Sequence, residues 1–158
     1  MRFMSTIHSP EWLTFSRTST FIEDSRPVAQ SSGTDPIVGM RALVIEDEFL
    51  IAIDVQRILE TAGAREVVLV ARVVDAQAAL DGPEPFDIAV LDILLGEESG
   101  ESIAKQLVER RIPFVYSTGM GPFGINAEDA GLMPIVPKPY SSATLLSGLA
   151  KAIAVLRT

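Results

Sequence analysis

Short apolar runs alternate with segments of helical period from residue 41 to the end of the chain. Five of these runs read as strands, and they lie at 42–45, 67–71, 86–92, 112–118 and 133–136. Between them, apolar residues recur every three or four positions, which is the spacing that lines one face of a helix. Alternating strands and helices favour right-handed crossovers and a parallel sheet covered on both faces. The pattern therefore predicts a doubly wound α/β domain with five strands.

Helix ends and buried faces follow from the same pattern. We expect Gly63 to stop the first helix, Asp75 to cap the second and Ser141 to cap the last. The stretch 126–131 permits only a short helix. The helix residues predicted to face the core are Ile51, Val55, Ile58, Leu59, Ala62, Ile103, Ala104, Leu107, Val108, Leu145, Leu146, Leu149, Ile153 and Leu156.

Residues 1–39 have a different character from the rest of the chain. Ser, Thr and Pro are frequent, the stretch 30–36 resembles a linker, and no strand or helix period persists. A short helix beginning at Ser9 is permitted, but one isolated short helix is marginal. We therefore predict a flexible N-terminal extension at 1–39, followed by one domain at 40–158.

Composition excludes several classes of function. The chain has no cysteine and one histidine, His8, which argues against thiolate sites, disulfide scaffolds and histidine-based catalytic or metal sites. A formal net charge of −8 argues against nucleic acid or an anionic membrane as a direct partner. No apolar run is long enough to span a bilayer, and the N-terminus lacks the apolar core of a signal peptide. We therefore expect a cytoplasmic protein.

Polar residues stand at the carboxyl ends of the predicted strands, where open α/β sheets keep their sites. They are Glu46 and Asp47 after the first strand, Asp92 after the third, Ser117 and Thr118 after the fourth, and Lys138 after the fifth. Alone, each has a structural explanation, since acids stabilise helix starts and Thr is common in turns. Their joint occurrence on one edge of the sheet favours a site.

The acidic members of this set predict a metal ion. If the strands follow the order 2-1-3-4-5, Asp47 and Asp92 converge, with Glu46 beside them. Two carboxylates about 4 Å apart repel by roughly 4 kcal/mol at an effective dielectric near 20, so the cluster requires a cation, a proton or solvent. Ligands that are all oxygen favour Mg²⁺. A carboxylate beside Mg²⁺ can accept a phosphoryl group, which Lys138 would neutralise and the Thr118 hydroxyl would hydrogen-bond.

With these residues in this order, the stretch 41–157 resembles the receiver domain of two-component response regulators, which has the flavodoxin-like fold of the chemotaxis receiver. The resemblance implies that a histidine kinase or phosphotransfer protein phosphorylates Asp92. It also implies that Asp47, Asp92 and the carbonyl of Leu94 bind Mg²⁺, which Glu46 reaches through water.

The resemblance extends to the residues around the phosphoryl group. Thr118 would be the switch hydroxyl and Lys138 the phosphate contact, and the bond from Lys138 to Pro139 would be cis. Many receivers have an aromatic switch residue three positions before the lysine, where this chain has Ile135. The loop that begins Gly119-Met120-Gly121 is therefore our candidate for the moving element.

The segment 113–121 narrows the resemblance further. It is similar to the PFxFATGYG segment of single-domain receivers known as the FAT GUY group. Ser117 stands where that group has Ala, and Met120 where it has Tyr. Those regulators serve sensor kinases of alphaproteobacteria, so such kinases are the implied partners.

Taken together, these observations predict a stand-alone response regulator that is phosphorylated on Asp92 with Mg²⁺ and signals by protein contact. It would catalyse only its own phosphotransfer and dephosphorylation. One alternative is a phosphate sink for a sensor kinase, with no output of its own. Another is an aspartate-nucleophile phosphohydrolase of the haloacid dehalogenase type, which would have a second Asp where Leu94 stands. A degenerate receiver that only binds partners would require a broken acidic site.

Overall fold

The computed structural model describes residues 36–119 and 133–157 of the chain. Within these ranges the strands are β1 (Arg41–Ile45), β2 (Glu66–Val70), β3 (Ile88–Asp92), β4 (Leu94–Leu95), β5 (Glu98–Ser99), β6 (Phe114–Thr118) and β7 (Ile135–Pro137). The helices in the same ranges are α1 (Phe49–Thr61), α2 (Val73–Leu80), α3 (Glu101–Glu109) and α4 (Ser142–Arg157). None of these helices is both long and apolar enough to cross a membrane.

Five of the strands form one parallel sheet in the order β2-β1-β3-β6-β7. Because β6 and β7 are the fourth and fifth strands of this sheet, the predicted order 2-1-3-4-5 is confirmed. Ile45 pairs with Val70 on one side and Leu91 on the other, while Asp92 pairs with Ser117. This register brings the carboxyl ends of the central strands to one edge of the sheet.

Burial along the sheet follows strand position. Every residue of β3 and β6 is buried, because both strands are paired on both sides and covered on both faces. The residues 67–70 of β2 are only half-buried, although their apolar run predicts a buried strand. The reason is that β2 lies at an edge of the sheet. Ile37, from the stretch predicted to be an extension, is fully buried in the core.

The predicted helix ends are confirmed in two cases and wrong in one. Gly63 follows α1 with φ +94°, a conformation that favours glycine. The hydroxyl of Ser141 accepts the N–H of Thr144 at 3.2 Å and so caps α4. Asp75 does not cap α2, because the helix begins at Val73 and Asp75 lies in its first turn, paired with Arg72 at 2.8 Å.

The predicted buried faces are largely confirmed. The prediction that Val108 faces the core is wrong, since Val108 is 48% exposed. At about 100° per residue, the buried residues Ile103, Leu107 and Ala104 cover one side of α3, and Val108 lies about 40° beyond Ala104, outside this face. The predicted core residues that are only half-buried are Ile51, Ile58, Leu146 and Leu156. The short helix expected at 126–131, and most of the extension, lie outside the described residues.

The sequence pattern missed a small hairpin directly after β3. Strands β4 and β5 pair antiparallel, with Leu94 opposite Ser99 and Leu95 opposite Glu98. Gly96 in the turn has φ +64°. Two-residue strands are too short to show a period, so the pattern predicts only a plain loop from Asp92 to Gly100.

Candidate functional site

Three carboxylates meet at the carboxyl edge of the sheet. Glu46 and Asp47 follow β1, Asp92 ends β3, and these strands are neighbours. One carboxylate oxygen from each lies within 4.8 Å of the others. The structure therefore brings together the three acids that the sequence singled out.

The acceptor candidate Asp92 is held by two hydrogen bonds. It is 6% exposed. Its Oδ1 accepts the N–H of Leu94 at 3.0 Å, and its Oδ2 accepts the Lys138 amine at 2.6 Å. Asp47 is exposed, and its Oδ2 accepts the N–H of Gly96 at 3.0 Å. The hairpin after β3 is thus anchored on one of the acids.

Lys138 bridges two of the three acids, Glu46 and Asp92. Its amine lies 2.6 Å from Glu46 Oε2 and 2.6 Å from Asp92 Oδ2. The backbone places it, because β7 pairs with β6 and the N–H of Lys138 donates to the carbonyl of Thr118 at 2.7 Å. The peptide bond from Lys138 to Pro139 is cis.

Burial and hydrogen bonding have opposing effects on the pKa values of Glu46 and Lys138. Burial raises the pKa of Glu46 above its ordinary value, the hydrogen bond from Lys138 partly opposes this, and the charge of Asp92 adds to the rise. Burial lowers the pKa of Lys138, but its hydrogen bonds to Asp92 and Glu46 outweigh that effect, and the pKa of Lys138 lies above its ordinary value. Lys138 is therefore a permanent cation at neutral pH.

A cavity of about 270 Å³ opens beside Asp92. It is lined by Asp47, Glu48, Asp92, Leu94, Gly96, Thr118, Gly119 and Lys138. One amine cannot neutralise three carboxylates, and the available ligand atoms are oxygens. This donor set fits Mg²⁺, which joins carboxylates to phosphate oxygens. The cavity gives Asp92 access to a ligand despite its burial.

The positions of Leu94, Thr118 and Gly119 are described, but the roles predicted for them depend on a bound metal ion or phosphoryl group. Leu94 and Thr118 both line the cavity. Binding of a metal by the Leu94 carbonyl, and a phosphate contact by the Thr118 hydroxyl, stay predictions. Gly119 also lines the cavity, whereas Met120 and Gly121 lie outside the described residues.

Two contacts near the site had no clear signal in the sequence. The first is the bond from Gly96 to Asp47, which joins residues 49 positions apart. The second is a hydrogen bond from the fully buried Ser117 to the hydroxyl of Tyr140, at 3.3 Å. The departure of Ser117 from the Ala of the FAT GUY segment was the one available hint of the second contact.

The fold and the site define a doubly wound α/β domain with three acids and a lysine at the carboxyl edge of its sheet. The model of the family described as response regulator receiver domain matches residues 42–150. The chain therefore belongs to the response regulator receiver domain family of two-component systems. Phosphorylation and Mg²⁺ are typical of this family, whose members are signalling domains rather than metabolic enzymes.

Two curated relatives are response regulators. The transcriptional regulatory protein PdtaR of Mycobacterium tuberculosis is 28% identical over 132 residues, which cover 80% of this chain and 63% of PdtaR. The transcriptional regulatory protein CutR of Streptomyces coelicolor is 32% identical over 114 residues, which cover 68% of this chain and 51% of CutR. The chain thus spans between half and two thirds of the length of these relatives.

Solved structures of receiver domains resemble this fold. The receiver domain of the sensor histidine kinase PA1611 from Pseudomonas aeruginosa has a TM-score of 0.64 and 25% identity, and the match covers 74% of this chain and 99% of that one. That crystal structure has a magnesium ion coordinated in its active-site cleft. SdrG from Sphingomonas melonis has a TM-score of 0.58 and 32% identity, with 75% of this chain and 97% of SdrG covered.

Proposed function

We propose that this protein accepts a phosphoryl group on Asp92 from the phosphohistidine of a histidine kinase or phosphotransfer protein. The observation that carries the proposal is the position of Asp92, which lines a cavity with a second acid, Asp47, and a lysine amine 2.6 Å away. A nucleophile, a cation and ligands for Mg²⁺ then surround the space that a phosphoryl group would enter.

The residues of the chain have separate roles in the transfer. An oxygen of Asp92 forms a bond to phosphorus while the P–N bond of phosphohistidine breaks, and the electron pair of that bond stays on the imidazole. Lys138 exchanges its contact with Asp92 for one with a phosphoryl oxygen, and so offsets the added charge. The Thr118 hydroxyl donates a hydrogen bond to another phosphoryl oxygen.

The acids would hold the metal. Asp47, Asp92 and the Leu94 carbonyl would bind Mg²⁺ directly, and Glu46, whose Oε2 already pairs with Lys138, would reach it through water. When bound there, Mg²⁺ supplies positive charge between the carboxylates and the phosphoryl oxygens.

The surface around the site supports a protein partner. Phe49 is 71% exposed and Leu50 is 78% exposed at the start of α1, and Leu94 on the cavity wall is 50% exposed. Apolar side chains at the rim of a site suit contact with another protein. The net charge of −8 makes direct contact with nucleic acid unfavourable. We therefore infer that both the phosphoryl donor and the receiver of the signal are proteins, in the cytoplasm.

The test is phosphorylation with a small donor. Incubation with acetyl phosphate and Mg²⁺ is expected to add one phosphoryl group per chain, measured by intact mass. Asp92→Asn is expected to abolish labelling, because the amide is a poor nucleophile, and a chelator is expected to do the same to the wild-type protein.

Glu109→Gln is the control, since Glu109 is an exposed acid at the end of α3 and is not one of the three clustered carboxylates. It is expected to be labelled like the wild-type chain. Labelling that persists in Asp92→Asn, or a wild-type chain that stays unlabelled with donor and Mg²⁺ present, would refute the proposal.

A further inference from the structure

A pair of hydroxyl groups joins the end of β6 to the turn between β7 and α4. Ser117, which is fully buried, donates its hydroxyl to that of Tyr140 at 3.3 Å. Ser117 is the sheet neighbour of Asp92, and Tyr140 stands two residues after Lys138. The pair therefore connects the strand beside the acceptor with the turn that carries the lysine.

Two hydrogen bonds attach this turn to β6. The first is the backbone bond from Lys138 to the carbonyl of Thr118, at 2.7 Å. The second is the side-chain bond between Tyr140 and Ser117. The backbone bond continues the pairing of β7 with β6, and the side-chain bond adds a constraint two residues further along the turn. The flexible side chain of Lys138 places its amine more reproducibly when its backbone is held in this way.

Packing on one side of Tyr140 is loose. The residue is half-buried and lines a cavity of about 630 Å³. Pro139, Lys138 and Gly119 line the same cavity. A side chain beside open space is not fixed by contacts alone, so its hydrogen bond has a large share in selecting its position.

We propose that Tyr140 is a positioning residue for phosphoryl transfer, and that it acts through Ser117 to hold Lys138 where its amine meets the incoming phosphoryl group. The inference rests on the proposed role of Asp92. It depends on a feature of this chain, because an alanine at position 117, as in the FAT GUY segment, would leave the tyrosine hydroxyl without this partner.

The experiment measures the maximal rate of Asp92 phosphorylation at saturating acetyl phosphate and Mg²⁺. Tyr140→Phe keeps the ring and removes the hydroxyl, and Ser117→Ala removes the partner. Each is expected to lower the maximal rate about three- to tenfold, the range that corresponds to one hydrogen bond. The double variant is expected to be no slower than the slower single variant, because all three lack the same bond.

Magnesium affinity separates positioning from general damage. Measured by calorimetry, it is expected to stay within about twofold of the wild-type value in Tyr140→Phe, because the hydroxyl that is removed bonds to Ser117 and not to any of the three clustered acids. Ser147→Ala removes an exposed hydroxyl from α4 and is the control, with an expected wild-type rate.

A wild-type maximal rate in Tyr140→Phe would overturn this inference alone. So would a fall in rate accompanied by an equal fall in magnesium affinity and a lower melting temperature, since a structural role would then suffice. Absence of labelling in the wild-type chain would instead overturn the proposed function, and this inference with it.

Discussion

At the scale of single residues, two cations organise opposite ends of the sheet. Lys138 lies between Glu46 and Asp92 at the carboxyl ends of the strands. Arg41 lies at the amino end of β1, 2.6 Å from Glu66, and its guanidinium stacks 4.2 Å from the centre of the Phe86 ring. Lys138 joins buried acids, so losing it would be costly, whereas Glu66 is exposed to solvent and contributes little.

The pair at Arg41 gives a pH-dependent prediction. The hydrogen bond from Arg41 holds the pKa of Glu66 below its ordinary value of 4.5. A lowered pKa in the folded state contributes stability above the unfolded value, and this stability is lost as pH falls through the folded pKa. Glu66→Gln is therefore expected to lower the melting temperature slightly at neutral pH and not at a pH below the folded pKa.

The control for this prediction is Glu109→Gln, which removes an exposed acid at the end of α3. It is expected to change the melting temperature equally little at both pH values. A deficit in Glu66→Gln that persists unchanged in acid would show that the carboxylate charge is not what Arg41 recognises.

The sequence predicted those residues of the candidate site that lie directly at the ends of strands. Asp92 and Lys138 come at the ends of apolar runs, and one edge of a parallel sheet collects the residues at those ends. The bonds from Gly96 to Asp47 and from Ser117 to Tyr140 could not be predicted. Each depends on side-chain direction between segments distant in sequence, which no local pattern encodes.

At the scale of elements, the apolar runs predicted the five strands of the sheet, because the strands of a parallel sheet that is covered on both faces carry mostly apolar side chains. The hairpin of β4 and β5 has no such run, since Leu94 is 50% exposed and β5 is exposed throughout. The prediction that Asp75 caps a helix depends on residue type alone. In the structure its carboxylate pairs with Arg72 instead, because the helix starts at Val73.

The packing of α4 on the sheet gives a prediction for Gly148. A Cβ at this position would lie 2.8 Å from Val136 Cγ2 and 3.2 Å from Val115 Cγ1. Valine side chains in strands are stiff at χ1, so they cannot yield easily. Gly148→Ala gains about 1 kcal/mol of helix propensity but is expected to lose about 1–3 kcal/mol to overpacking. Urea unfolding is expected to show net destabilisation.

A second substitution tests the cause. Val136→Ala removes the methyl group that Gly148→Ala would meet, so the double variant is expected to be more stable than the sum of the single effects. Ser147→Ala, at the neighbouring exposed position of α4, is the control and is expected to be neutral or slightly stabilising. Purely additive effects would show that the close approach does not limit this position.

At the scale of the whole molecule, one edge of the sheet carries an excess of negative charge. Glu46, Asp47 and Asp92 lie together there, and Lys138 offsets only one of the three charges. Such a cluster disfavours the folded state relative to an unfolded chain in which the acids are apart. A cation that binds only the folded cluster therefore links metal concentration to stability.

We expect Mg²⁺ to raise the melting temperature of the wild-type chain relative to the same protein in chelator. At a magnesium concentration about 100 times the dissociation constant, linkage gives about 2.7 kcal/mol of stabilisation. Asp47→Asn is expected to remove most of this effect, because it removes the charge of one of the three carboxylates that would bind the ion. Sodium chloride at equal ionic strength is the control, and an equal rise with that salt would point to general screening.

The contact of Lys138 with both Glu46 and Asp92 has one more consequence. The amine is shared, so a phosphoryl group on Asp92, as proposed, would give it a further anion to neutralise, and Glu46, which is 3% exposed, would keep its counter-ion only in part. A secluded anion deprived of its cation is unfavourable, and returning the amine relieves it. If Asp92 is phosphorylated as proposed, the phosphorylated protein would thus carry an electrostatic cost that the unphosphorylated one lacks, and this cost would favour hydrolysis of the acyl phosphate.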